Sequence, residues 1–170
     1  MPHIILVSRS TLYTQPGGDT VQVEQTAEHL RKLGVRVDIA VKGSRYTPES
    51  YDIVHFFNLI RPADILRELP RISRLFVSSI YVDYSADEQF HDHWVRRFLY
   101  KILGKFGIEY IKTIGRWFNR SDKFPGWQYI LKGHRSSIKS ILNKAEYIIT
   151  ASEVEEQLIK ADFPTTTVNF

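Results

Sequence analysis

The stretch His3 to Gly34 constrains this chain more than any other. It opens with Ile4-Ile5-Leu6-Val7, a short apolar run rich in β-branched residues, which reads as a buried strand of a parallel sheet. A loop from Ser8 to Asp19 follows and ends in Pro16-Gly17-Gly18-Asp19. Thr20 to Leu33 then puts Val23, Ala27 and Leu30 on one helical face and Glu24, Glu28, Arg31 and Lys32 off it. Gly34 stands where a helix-ending glycine belongs. A strand running into a glycine loop and a helix start forms an anion site, because backbone N–H groups and the positive end of the helix dipole point into the loop. Function is expected there.

The same alternation continues. Val35 to Val41 alternates as a strand does, and Lys42 to Tyr51, with Gly43, Ser44 and Pro48, is a loop. Asp52 to Asn58 and Leu75 to Ile80 are further short apolar strands, with a helix from Pro62 to Leu69 between them. Tyr147 to Ala151 is a fifth strand. Ser152 then caps a helix, and Glu155 completes a capping box. Thr167-Val168-Asn169 begins a sixth strand. Strands alternating with helices predict an α/β chain: a Rossmann-like parallel sheet with helices on both faces. Ligands of such sheets sit beyond the carboxyl ends of the strands. Those ends are Ser8 to Asp19, Asn58, Tyr81 to Asp83, and Ser152 with Glu153.

One stretch breaks the pattern. Residues from about 87 to 143 are far longer than a simple crossover. They read as a helical insertion between the fourth and fifth strands, with helices near Glu88–Phe106, Ile108–Phe118 and Trp127–Asn143. The positive charge gathers there, including Arg96, Arg97, Lys101 and Lys105, among aromatic residues such as Trp94 and Phe98. Trp94, Phe98, Leu99, Ile102 and Phe106 recur at three- and four-residue spacing and share one helical face. Two readings stand side by side: a solvated charged face over an ordinary core, or a surface for an anionic membrane or another acidic partner, contacted by Trp94, Arg96, Arg97, Lys101 and Lys105.

The candidate site residues carry equally open alternatives. Gly17 and Gly18 let a backbone approach a diphosphate with no Cβ in the way, or they form a plain turn with Asp19 as the helix N-cap. A Cβ at Gly18 is expected to intrude on the diphosphate or on a backbone conformation open mainly to glycine. The loop is neither a G-x-G-x-x-G fingerprint nor a P-loop. Asn58 and Asp83 end strands on the crevice side, and Tyr81 to Tyr84 suits a sugar or lipid-phosphate site as well as it suits an ordinary turn. His55, inside an apolar strand, reads as a hydrogen-bonded core histidine rather than a ligand contact. His91, His93 and His134 lack metal-ligand spacing, and no metal is assigned.

Composition narrows the field. With 170 residues, 43% hydrophobic and 25% charged, the chain has enough apolar material for one globular domain, expected to span 1–170. The absence of cysteine excludes disulfides and thiolate metal sites. No signal-peptide pattern and no apolar run of membrane-spanning length occur, so a cytoplasmic location is expected. A net charge of +4 points to an acidic partner.

The order of these pieces resembles a known family. Gly17-Gly18, Ala27, Leu30, Leu33-Gly34 and Val37-Asp38-Ile39 are similar to the start of group 1 glycosyltransferases of the two-Rossmann-domain (GT-B) type. Asp52-Ile53-Val54-His55-Phe56 resembles that family's Asp-Val-Val-His strand. Lys144 to Glu153 resembles its Ala-Asp-x-Val-Ile-x-x-Ser segment, and Val168-Asn169 fits the strand leading to the interdomain hinge. The resemblance implies the N-terminal, acceptor-binding half of a retaining glycosyltransferase, inactive by itself, with the donor-binding C-terminal domain and its catalytic glutamates absent. Gly17, Gly18 and Asp19 would face the donor diphosphate, and Asn58, Tyr81, Asp83 and Ser152 would bind a glycan or lipid-linked acceptor. The nucleotide-sugar donor is a co-substrate; no cofactor and no nucleic acid are implied. The chain would act in polysaccharide synthesis, on the inner face of the membrane. Ser78-Ser79-Ile80-Tyr81 stands where many relatives place a histidine, and Phe170 where they place a glycine. Two rivals remain: a free-standing nucleotide-binding or regulatory domain of Rossmann-like type, and a basic nucleic-acid-binding domain.

Overall fold

The structure of the chain is a computed structural model and describes residues 1–81, 94–119, 124–166 and 169, with the backbone alone for 94–103. The apolar runs become five parallel strands: β1 (His3–Ser8), β2 (Arg36–Val41), β3 (Ile53–Phe57), β4 (Leu75–Ser78) and β5 (Tyr147–Ile149). Their order is β2-β1-β3-β4-β5. Leu6 sits opposite both Ile39 and His55, and Val77 opposite Phe56 and Ile148. Beyond β5, Asn169 forms a parallel bridge with Tyr147. That places one residue of the expected sixth strand; Thr167 and Val168 lie outside the described residues.

Alternating side chains divide the core into two clusters. On one face Ile5, Val7, Val54, Phe56 and Val77 pack with helices that follow β3. These are α2 (Pro62–Glu68), α4 (Trp127–Lys132), α5 (His134–Lys144) and α6 (Glu153–Asp162). Ile65, Tyr129, Ile138, Ile141 and Ile159 are their deepest contributions. On the other face Ile4, Leu6, Val37 and Phe57 meet Val23 and Ala27 of α1 (Gly18–Lys32) and the fully buried Leu12. Each fully buried Leu or Ile contributes about 1.5–3 kcal/mol. The expected fold class, an α/β parallel sheet with helices on both faces, is the one observed.

Local chemistry explains the helix limits. Gly34 has φ 82, and its N–H donates to the Arg31 carbonyl while the Val35 N–H donates to that of Leu30. This paired ending needs a left-handed residue, which glycine supplies without strain. The N-cap of α1 is Gly17 rather than Asp19, and the Gly17 N–H donates to the Thr20 hydroxyl at 3.1 Å. Between β4 and β5 the described residues form α3 (Trp94–Phe118), α4 and α5. The break expected at Gly107 falls instead at Gly104, whose φ 61 and ψ 177 belong to a region essentially reserved for glycine. The helix expected over Trp127–Asn143 is divided at Gly133. Tyr110 of α3 donates to the Ile130 carbonyl and ties α3 to α4. Among the described residues no helix is long and apolar enough to cross a membrane.

Candidate functional site

In the order β2-β1-β3, β1 has neighbours reached in opposite directions, so the crevice above β1 and β3 is a topological switch point. A cavity of about 240 Å³ occupies it. Ser8 and Arg9 enter from the end of β1, Lys42 and Ser44 from the end of β2, and Asn58 and Arg61 from the end of β3. Asp64, Arg67 and Glu68 of α2 complete the lining together with Tyr46 and Phe124. Burial and the nearby Glu68 raise the Tyr46 phenol, which therefore stays neutral.

The loop between β1 and α1 is wound around one guanidinium. Arg9 Nε donates to Asp19 Oδ2 at 2.5 Å and Nη2 to Asp19 Oδ1 at 2.9 Å. Nη2 also donates to the Gln15 carbonyl at 2.6 Å, and Nη1 to the Thr11 hydroxyl at 2.7 Å. The bidentate contact from Arg9 lowers the Asp19 carboxyl below its usual range. Asp19 thus lines the cavity as half of an ion pair, while Gly17 and Gly18 stand at the start of α1 outside the lining. A Cβ on Gly17 would lie 3.3 Å from Asp19 Oδ1, tight against this clasp. A Cβ on Gly18 would meet nothing within 4 Å, and its φ is not left-handed. The expected backbone requirement for glycine at Gly18 is therefore absent, and only a ligand could demand a bare backbone there.

Of the proposed acceptor residues, Asn58 reaches the cavity. Its φ is 82, and its Oδ1 accepts the Ile60 N–H at 3.0 Å, a turn that asparagine makes readily. Tyr81 does not line it: the residue is buried, and its hydroxyl donates to Asp162 Oδ2 at 2.6 Å. The Ser152 hydroxyl caps α6, accepting the Glu155 N–H at 3.3 Å. Glu155 departs from the expected capping box. Its buried carboxylate accepts the Ser79 hydroxyl at 2.6 Å, the Ala151 N–H at 2.7 Å and the Tyr81 N–H. This second clasp holds Ile80 at φ 44, an uncommon backbone for a β-branched residue. Asp83 lies outside the described residues.

The basic insertion is partly engaged with the body. Lys105 pairs with Asp162 and lies over the rings of Tyr81 and Phe106, while Phe106 packs edge-on against Phe163. The end of the aromatic stripe is therefore core. Trp94, Arg96, Arg97 and Lys101 are placed on α3 by backbone only. His55 is a core histidine, bonded to the Ser78 hydroxyl at 2.9 Å and stacked on Phe57, with burial pushing its pKa down to about 4. His134 is likewise buried against the Tyr129 hydroxyl and lowered to about 4. Among the described residues no group of three His, Asp or Glu side chains could hold a metal.

Sequence reading placed the Ser8–Asp19 stretch at the crevice without singling out Arg9, and missed Lys42, Arg61 and Arg67. Lys42 directly follows the last residue of β2, so attention to the end of β2 would have found it. Arg67 and Phe124 needed the three-dimensional packing of α2 against the insertion, which the Arg67 contact to the Phe124 carbonyl at 3.3 Å marks. The chain matches no family model, no curated protein and no solved structure.

Proposed function

We propose that this chain is the acceptor-binding N-terminal half of a retaining glycosyltransferase that moves a sugar from a nucleotide-sugar donor to a glycan or lipid-linked acceptor. The observation that carries it is the cavity at the switch point, where ion pairs, an amide side chain and aromatic rings surround a space of about 240 Å³. Polar groups with fixed directions beside aromatic faces suit a hydroxyl-rich ligand. The α1 N-terminus adjoins this cavity through Asp19, so a diphosphate approaching Gly17 and Gly18 would lie next to a bound acceptor. The order of motifs along the chain supports the same assignment. Catalysis would rest on placing acceptor and diphosphate together between two domains.

Amide NMR titration tests this. Glycan and lipid-linked glycan probes should shift Ser8, Lys42 and Asn58. Nucleotides offered alone should show no selectivity for the base, because that recognition belongs to the other half. Base-selective, saturable binding of one nucleotide would establish the rival, a nucleotide-binding or regulatory domain. In the complete enzyme, Gly18→Val should cut turnover strongly while the fold remains intact, since a side chain at Gly18 has room when no ligand is present.

A cytoplasmic, membrane-peripheral location belongs to the same proposal, with Trp94, Arg96, Arg97 and Lys101 as the contacting residues and Lys105 held by Asp162 instead. Co-sedimentation with anionic vesicles should weaken with salt and on replacing Arg96, Arg97 and Lys101 by Ser. Indifference of the wild-type chain to anionic vesicles at low salt removes the membrane from the proposal.

A further inference from the structure

We infer that the far end of the insertion, where α3 meets α4, is a contact surface for an anionic bilayer and adjoins the switch-point cavity. This rests on the membrane-peripheral location proposed above and adds a contact at the opposite end of α3 from Trp94, Arg96 and Arg97. Exposure carries it. Phe118 is 72%, Trp127 70% and Leu131 84% exposed. Large apolar side chains this open, gathered together and rimmed by charge, mark a membrane or protein contact. A run of rings joins them. Phe118 meets Trp117 with ring centroids 4.8 Å apart, Trp117 meets Phe124 at 5.1 Å, and Phe124 meets Trp127 at 5.4 Å. Leu131 lies one turn beyond Trp127 on α4. Tyr110 holds α3 against α4 through the Ile130 carbonyl, and its sequence neighbour Ile111 is exposed as well.

Charge selects the occupant. From Ile108 to Lys144 the sequence holds eight lysines and arginines against Glu109 and Asp122, an excess larger than the whole chain's net charge of +4. Two copies of the chain meeting at this face would bring like charge together, whereas an anionic lipid surface attracts it. Tryptophan and phenylalanine beside lysine and arginine suit the headgroup boundary of a bilayer. The run of rings also ends at the cavity, because Phe124 lines it and the Phe124 carbonyl accepts from Arg67 at 3.3 Å. An acceptor with its lipid chains in the bilayer at Trp127 would bring its head group to the cavity past Phe124. The surface therefore favours a lipid-linked acceptor over a free glycan.

Co-sedimentation with vesicles of phosphatidylcholine, with and without phosphatidylglycerol, tests this. The chain should be retained where phosphatidylglycerol is present, and less so as salt rises. Trp127→Ser and Leu131→Ser should each lower the partition coefficient about tenfold. Both variants keep the fold, because the side chains that they remove are exposed. Tryptophan emission should shift to the blue on binding, and Trp127→Phe should reduce that shift while preserving retention. Wild-type retention that neither serine substitution lowers overturns the inference and leaves the peripheral location standing on Trp94, Arg96, Arg97 and Lys101. Indifference of the wild type to anionic vesicles at low salt removes both. Equal retention on phosphatidylcholine alone overturns the inference, as does a lipid-free dimer, seen by sedimentation equilibrium, that Trp127→Ser dissolves.

Discussion

The first four strands and the remainder of the chain are held together by different means. From β1 to β4 the ties stay within the first eighty residues, from the local pairs Arg9 to Asp19 and Gly17 to Thr20 out to His3 with Asp52, with α1 laid over β1 and β2. From α3 to α6 the ties reach far back. Glu155 holds Ser79 and Tyr81, Asp162 holds Tyr81 and Lys105, and the Asp162 carbonyl accepts from Arg135. Both regions use a carboxylate as a clasp. Asp19 grips a cation at the mouth of the crevice, partly in solvent, whereas Glu155 grips neutral donors in the interior. A partly buried ionic clasp shapes one loop, while a fully buried clasp of neutral donors joins two halves of a fold, because losing it strands polar groups where water cannot reach.

The largest test of this contrast is Glu155→Ala. It leaves the Tyr81 and Ala151 N–H groups and the Ser79 hydroxyl without an acceptor, and should cost about 4 kcal/mol in a urea unfolding titration, with Glu155→Gln costing about half as much. Equal costs for the two variants would show that the carboxylate only fills space. Next in size is the response to acid, which samples one buried histidine in each region. At neutral pH, His55 and His134 are uncharged in both the folded and the unfolded chain. Between pH 6.5 and about 4 the unfolded chain takes up protons that the folded chain excludes, so stability falls as pH falls. The loss is about 1.4 kcal/mol per pH unit for each histidine. His55→Gln and His134→Gln should each remove about half of that slope, and a slope untouched by either would contradict the burial of both rings.

Asp19→Ala should cost about 2 kcal/mol, less than the loss at Glu155, with the change in amide exchange confined to residues 9–20. Its lowered pKa means that the Arg9 pair contributes fully above the ordinary carboxylate value of 3.8 and is lost as the pH falls through the folded value. Spread of the exchange effect to β5 would erase the distinction between local and long-range ties. The smallest effect is Gly18→Ala, which should stabilise by about 0.5 kcal/mol in a thermal melt, because the helical backbone and the open space around it favour a methyl group. A destabilising result would mean that the loop itself needs glycine at Gly18.

Legibility in the sequence follows the same division. The strands, α1 with its Gly34 ending, and the Pro62 start of α2 were readable because periodicity, glycine and proline act within a few residues. His55 was readable as a core histidine because apolar neighbours flank it on both sides. The joint at Gly104 was not, since Gly104 and Gly107 look alike until packing of Phe106 on Phe163 and pairing of Lys105 with Asp162 fix which one bends. Glu155 was read as half of a capping box, but its partners Ser79 and Tyr81 lie more than seventy residues away. At the crevice, Asn58 and Asp19 were visible as strand-end and helix-start residues. Arg61 and Arg67 were hidden because cations at the start and end of a short helix read as solvated surface until the cavity that they line is seen.

The pairing of β5 with β4 has a consequence for the order of folding. Strands β1 to β4 follow one another closely, whereas β5 joins β4 only after the chain has travelled from Ser78 to Tyr147. Closing a connection of about 70 residues costs about 1.6 kcal/mol more entropy than closing one of a dozen. Contacts of such separation slow folding. The four-stranded part can therefore assemble while the rest of the chain is still searching, with β5 and α6 docking last. The hydrogen bonds from Ser79 and Tyr81 to Glu155 would then form at the end of the reaction, giving the Glu155 variants faster unfolding and nearly unchanged refolding.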